Sequence, residues 1–208
     1  MKKKYFFQML LFLTILSEGC LEQNRKSMTN NVIQALNVVP DTLVKISALS
    51  YNHKISLWTL NHVPYSGFAV SYYQDNTLKE KFGILEGKKQ DEAIQWFADG
   101  HVKNVANYHQ GKLHGEKKIW IKDTVHVLIG HYNYLNGMPH GEQKKWYSTG
   151  EIFKQMNLIM GKEEGMQRAL RKIGSLYANY EARNGRIFGI KNGKLCYELN
   201  NETIVSNE

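Results

Sequence analysis

Gly111-Lys112-Leu113-His114-Gly115-Glu116 is answered by Gly137-Met138-Pro139-His140-Gly141-Glu142, and each stretch runs on through lysines to a tryptophan, Trp120 and Trp146. A third copy opens at Gly161-Lys162-Glu163-Glu164-Gly165. Marking each copy by its second glycine gives the series Gly67, Asp91, Gly115, Gly141, Gly165 and Gly189, with Asp91 a substituted copy and separations of 24, 24, 26, 24 and 24 residues. A fixed period of this length means one supersecondary unit repeated along the chain.

The columns of the repeat show what that unit is. Five and six places after the first five marks stand Tyr72-Tyr73, Trp96-Phe97, Trp120-Ile121, Trp146-Tyr147 and Leu170-Arg171. Nine places after them stand Asn76, Gly100, Thr124, Gly150 and Gly174, and Asp75-Asn76 and Asp99-Gly100 are dipeptides suited to tight β-turns. Each unit therefore reads as a strand ending in aromatics, a turn, and a second strand such as Val102 to Tyr108 or Ile152 to Ile159. The next glycine pair turns the chain into the following unit. The two residues added between Gly115 and Gly141 lengthen the turn around Lys122-Asp123-Thr124, and an even insertion keeps the two faces of the sheet unexchanged.

A single hairpin is marginal in water, so the units must stack and support one another, with the terminal units as caps. The predicted fold is all-β: an elongated single-sheet array of repeated antiparallel hairpins, about 24 residues per unit. Before it, Val44 to Leu49 and Ile55 to Leu60 alternate as half-buried strands do. On this basis Trp96, Trp120 and Trp146 are expected first as core or platform residues.

The Gly-Lys-Leu-His-Gly and Gly-Met-Pro-His-Gly units, the aromatic pair and the spacing resemble MORN repeats. The likeness is strongest to the variant form found in bacterial lipoproteins and in proteins described as antitoxin components of toxin–antitoxin systems. It covers about residues 57 to 199. The departures are Val63 for a first glycine, Asp91 for a second, Leu170-Arg171 for the aromatic pair, and a shortened last unit at Gly185 to Leu199. The resemblance implies a scaffold or binding surface rather than a catalyst.

Strand parity places Glu116-Lys118-Trp120, Glu142-Lys144-Trp146 and Met166-Arg168-Leu170 on one face. Stacking aligns an acidic column, a basic column and an apolar column. Charge pairing on a solvated face accounts for this pattern; the functional alternative is a basic, aromatic-flanked strip formed by Lys118, Trp120, Lys144, Trp146 and Arg168, open to an anionic partner.

The amino terminus carries a different signal. Met1-Lys2-Lys3-Lys4 precedes an apolar run from Tyr5 to Leu16, too short to span a bilayer as a helix but of the length of a secretory h-region. It closes on Ile15-Leu16-Ser17-Glu18-Gly19-Cys20, which resembles a lipoprotein lipobox, with Ser17 and Glu18 departing from the strict pattern. Residues 1–19 are expected to be a signal peptide and Cys20 the lipid attachment site; the simpler alternative is an ordinary cleaved signal with Cys20 incidental. Residues 20–42 follow as a polar tether, 43–199 as the repeat domain and 200–208 as a polar tail. By analogy with enteric sorting, Leu21 after the cysteine points to the outer rather than the inner membrane of a bacterial envelope.

Cys20 and Cys196 are the only cysteines, so acylation of Cys20 leaves Cys196 without a disulfide partner, and a small buried hydrophobe is its simplest role. Removing residues 1–19 lowers the formal charge from +8 to +6 by loss of three lysines and one glutamate. A charge of that size is not by itself a nucleic-acid footprint. Eight histidines raise the question of a metal, but His114 and His140 recur by repeat phase, and no ligand spacing accompanies them, so no metal and no cofactor are expected. No nucleophile elbow, phosphate loop or dinucleotide fingerprint occurs, and an enzyme is not expected. Two functions remain: an exported, lipid-anchored binding surface for a protein or envelope polymer, and an antitoxin-like or immunity-like protein that binds a specific toxin.

Overall fold

The computed structural model describes residues 38–123, 125–190, 198–200 and 203–205. Cys20, Cys196, the signal segment and most of the tether lie outside the described residues. Among those described, no helix is long and apolar enough to cross a membrane.

The chain enters through β1 (Leu43–Lys45), a 3-10 turn at Ile46–Ala48, and three short strands, β2 (Ser50–Asn52), β3 (Leu57–Leu60) and β4 (Val63–Pro64). The repeats then follow as β5 (Gly67–Tyr72), β6 (Leu78–Leu85), β7 (Lys88–Trp96), β8 (Val102–His109), β9 (Lys112–Trp120) and β10 (Leu128–Leu135). They continue as β11 (Met138–Trp146), β12 (Ile152–Ile159), β13 (Lys162–Leu170), β14 (Leu176–Arg183) and β15 (Arg186–Ile190). β5 to β15 pair in chain order, each antiparallel to the next, and β1 adds in parallel to β5, giving a twelve-stranded sheet. A small hairpin, β16 (Glu198–Asn200) with β17 (Thr203–Val205), closes the chain where a polar tail was predicted.

Two kinds of turn alternate along this sheet. After each second strand the chain reverses through two residues with positive φ: Glu86-Gly87, Gln110-Gly111, Asn136-Gly137, Met160-Gly161 and Asn184-Gly185. Such turns match the twist of the flanking strands. At the opposite rim the turns at 97–101, 147–151 and 171–175 are five residues long, while 121–127 holds the two extra residues, as the period predicts.

The phase mark itself lies inside a strand, in a β-bulge. Tyr132 pairs with Gln143 and Tyr134 with Pro139, so Asn133 alone faces His140, Gly141 and Glu142. Asn107 faces His114 to Glu116 and Asn157 faces Glu164 to Met166 in the same way. The marks take φ of +88° at Gly115, +85° at Gly141 and +79° at Gly165, and Asp91 holds the same left-handed conformation at +60°. Asparagine closes each bulge, its Nδ2 donating to the carbonyls of Glu116 (3.2 Å), Glu142 (2.6 Å) and Met166 (3.1 Å) from Asn107, Asn133 and Asn157 respectively. Where the mark is Asp91, the asparagine's place eight residues earlier is held by Gly83, which pairs with Gln90.

A buried glutamine completes the clasp in two units. Gln143 Nε2 donates to Asn133 O at 2.8 Å and Gln167 Nε2 to Asn157 O at 2.7 Å, and both side chains are at most 2 % exposed. Such groups belong inside only when they are hydrogen-bonded.

Neighbouring units are joined at both rims. The first-glycine amides of Gly87, Gly111, Gly137 and Gly161 donate to the carbonyls of Tyr65, Lys89, Leu113 and Pro139 in the preceding unit, at 2.7 to 2.8 Å. At the other rim Tyr73 Oη donates to Trp96 O (2.7 Å) and Tyr147 Oη to Leu170 O (2.9 Å), which fixes the second residue of the aromatic pair to the next unit.

One lateral row across the sheet holds many of the buried side chains. Ala69, Phe82, Ala93 and Ala106 are in register, and across Lys117 the row continues through Tyr132, Gln143, Met156, Gln167 and Tyr180. Trp96, Trp120 and Trp146 are only half-buried and stand on the other face. The aromatic column is thus not the innermost part of the array.

The first units are covered by a second layer. Leu49 and Tyr65 form a core with Ala69, Phe82, Ile84 and Ala93, against which Val44, Ile46, Trp58 and Leu60 pack. Trp58 and Phe82 meet with ring centroids 5.5 Å apart. This cap begins before residue 43: Val39 is buried, and Thr42 accepts from the Phe68 amide at 2.6 Å, so the end of the predicted tether belongs to the folded part. Val44 to Leu49, expected as one strand, bends instead into the 3-10 turn, which brings Leu49 onto the core. The first turn of the predicted series falls at Asn61-His62 in a separate three-stranded sheet, β2-β3-β4, so Val63 is not a substituted turn glycine.

Candidate functional site

The basic column is a real row of the sheet. Lys118 pairs with His131, His131 with Lys144, Lys144 with Gln155, and Gln155 with Arg168, so five successive strands place one side chain each along a line. With neighbouring strands about 4.8 Å apart, the row is about 19 Å long and each of its three permanent cations is about 10 Å from the next. Val105 flanks it on one side and Asn179 on the other. Sequence parity located Lys118, Lys144 and Arg168; His131 and Gln155 lie on the returning strands, whose register the repeat phase alone did not supply.

The charges in this row are already partnered. Lys118 Nζ donates to Glu116 Oε2 at 2.6 Å, two residues back on the same face of the strand, and Lys144 Nζ lies 2.7 Å from Glu142 Oε2. His131 Nε2 stands 3.3 Å from the other Glu116 oxygen, within ion-pair range but off the direction of a hydrogen bond. Gln155 donates to the remaining oxygen of Glu142 at 2.5 Å. The lysine hydrogen bonds hold both carboxyls below the ordinary glutamate value of 4.5. Arg168 continues the row in register with Gln155 and Asn179. Trp120 and Trp146 lie two residues on from Lys118 and Lys144, facing Leu128 and Ile152 across the sheet, and form the apolar border. The face is a zwitterionic strip with an aromatic edge rather than a field of bare positive charge.

A second cluster sits on the rim. The turn at 97–101 carries Asp99 and His101, and the lengthened turn at 121–127 carries Lys122 and His126 over them. Asp99 Oδ1 accepts from the His101 amide at 3.1 Å and lies 3.3 Å from His101 Nδ1, while Oδ2 lies 3.4 Å from His126 Nε2 and 3.2 Å from Lys122 Nζ. The imidazoles of His101 and His126 stack with centroids 3.6 Å apart and planes 14° apart. The amide of His101, with Lys122 and His126, drives the Asp99 pKa strongly down. Among the described residues, Asp99, His101 and His126 are the group whose ligand atoms come together, all within 4.8 Å. No ligand spacing announced it, because its members come from two successive turns and meet only through the stacking of units.

No family model matches the chain, and neither a curated protein nor a solved structure resembles it significantly.

Proposed function

We propose that this chain is an exported, lipid-anchored repeat protein that presents a MORN-like β surface to a protein partner and carries out no catalysis itself. The observation that supports this most is the row from Lys118 to Arg168 across five strands, bordered on β9 and β11 by the carboxylates Glu116 and Glu142 and the tryptophans Trp120 and Trp146. Because Lys118 and Lys144 are already neutralised by Glu116 and Glu142, the strip suits a partner with mixed charges of its own. A polyanionic envelope polymer would have to displace those carboxylates first. The anchor rests on Lys2 to Cys20, and the resemblance to MORN repeats on the glycine pairs and the aromatic columns.

The test is capture of partners from native membranes by the full chain and by a Lys118→Gln/Lys144→Gln variant. A protein captured by the former and lost from the latter, with the melting temperature unchanged, is expected; identical capture by both would remove the strip from the proposal. If the captured protein is a toxic enzyme whose activity the chain suppresses, the antitoxin-like function replaces the scaffold one. In the same preparation Cys20→Ser is expected to move the chain from the membrane to the soluble fraction, and unchanged fractionation would contradict the anchor.

A further inference from the structure

We propose that Asp99, His101 and His126 form a binding site for a divalent first-row transition metal ion of the zinc class, assembled by the two-residue insertion that breaks the period of the repeat. The turn carboxylate alone needs no ion. Asp75 occupies the same place one unit earlier and simply accepts from the Thr77 amide at 3.0 Å and from its hydroxyl at 2.6 Å. Asp99 does the same with the His101 amide, but one carboxylate oxygen is then left for the neighbouring loop, and that loop differs from the others of its rim. The lengthened turn lays His126 over the preceding unit's turn.

The donor set fits, and the separations come close. Two imidazoles and one carboxylate are the usual ligands of zinc and related ions, which bind histidine nitrogen and carboxylate oxygen at about 2.0 to 2.2 Å. Ligand atoms around a tetrahedral ion with such bonds are about 3.3 Å apart. His101 Nδ1 lies 3.3 Å from one Asp99 oxygen and His126 Nε2 3.4 Å from the other, and one ligand atom from each residue lies within 4.8 Å of the rest, so the three must draw in around one ion. Asp99 and His101 are exposed and His126 half-buried, so water can complete the coordination.

Two features must change on binding. The rings are stacked nearly parallel, and their lone pairs converge on one point only after one imidazole turns about its Cβ–Cγ bond. Lys122 already supplies a cation to Asp99 and must swing out. The second requirement separates a metal site from a purely structural ion-pair cluster. Removing Lys122 weakens such a cluster but favours a metal, because a like charge leaves the site.

The experiment titrates Zn²⁺ alone into the full chain at neutral pH, read by competition with a chromophoric chelator, with melting temperature recorded for every variant. One equivalent is expected to bind. His126→Ala and His101→Asn should each weaken it by at least about tenfold. Lys122→Gln should tighten it severalfold, and His114→Asn, in the bulge of β9, should leave it unchanged. Binding that is equally strong in the His101 and His126 variants, or weakened by Lys122→Gln, would overturn the proposal, as would the lack of any stoichiometric binding to the wild-type chain.

Discussion

The first units of the array and the middle ones share a backbone and differ in what fills it. Around β5 to β7 the buried row is Ala69, Phe82 and Ala93, and Leu49, Trp58, Leu60 and Tyr65 cover it as a second layer. From β10 to β13 the same row contains Tyr132, Gln143, Met156 and Gln167. There glutamine and asparagine tie the bulge carbonyls, and the turns tie each unit to the last. A repeat can therefore be held by apolar burial where a cap exists and by polar clasps where none does. The first means is non-directional, proportional to area; the second fixes register, because each amide reaches one carbonyl.

That difference has measurable consequences. Phe82→Ala removes the largest fully buried side chain among the described residues, 2 % exposed, and is expected to cost about 3 to 5 kcal/mol in urea unfolding. A loss below about 1 kcal/mol would show that the cap contributes little. Gln167→Ala deletes no apolar core but leaves the Asn157 carbonyl without its side-chain donor in a buried place, and should cost about 1 to 3 kcal/mol. A neutral result would mean that water satisfies the bulge and the clasp is dispensable.

The smallest effect belongs to the strip. Lys144→Met at neutral pH is expected to cost about 0.2 to 1 kcal/mol, as exposed ion pairs do. The sign with pH follows from Glu142, whose folded pKa lies below its ordinary value of 4.5 because of the Lys144 hydrogen bond. A carboxyl depressed on folding stabilises the native state above its unfolded pKa, and that contribution is lost as pH falls through the folded value. The gap between wild type and Lys144→Met should thus narrow as the pH is lowered past 4.5. A gap that stays constant would assign the loss to packing of the lysine stem instead.

The repeat was legible because its key positions are dictated by backbone conformation. The paired turn residues and the bulge both need positive φ, so glycine recurs there, and the strand ends at Val102 and Ile152 follow from the spacing. Asp91 shows the limit of the signal: the conformation persists without the glycine. The cap was not legible as a cap, since Leu49, Trp58 and Leu60 alternate like any strand and their partners Phe82 and Ile84 lie a unit away in the chain. The Asn107, Asn133 and Asn157 column was visible in principle, eight places before each mark, but polar residues on a returning strand carry no periodic apolar signal. Two of the five residues of the row, His131 and Gln155, were hidden for the same reason. The rim cluster needed three dimensions, because two turns must stack before Asp99 meets His126.

The coupling of each unit to the one before it is tested most directly by residue-resolved hydrogen exchange of the full chain at the first-glycine amides. Gly111, Gly137 and Gly161 donate to strand carbonyls of the preceding unit, so their protection should match that of strand amides in β9 to β13. Exchange at the rate of freely exposed turns would mean that the hairpins are not joined at this rim, and that the array is not one cooperative sheet.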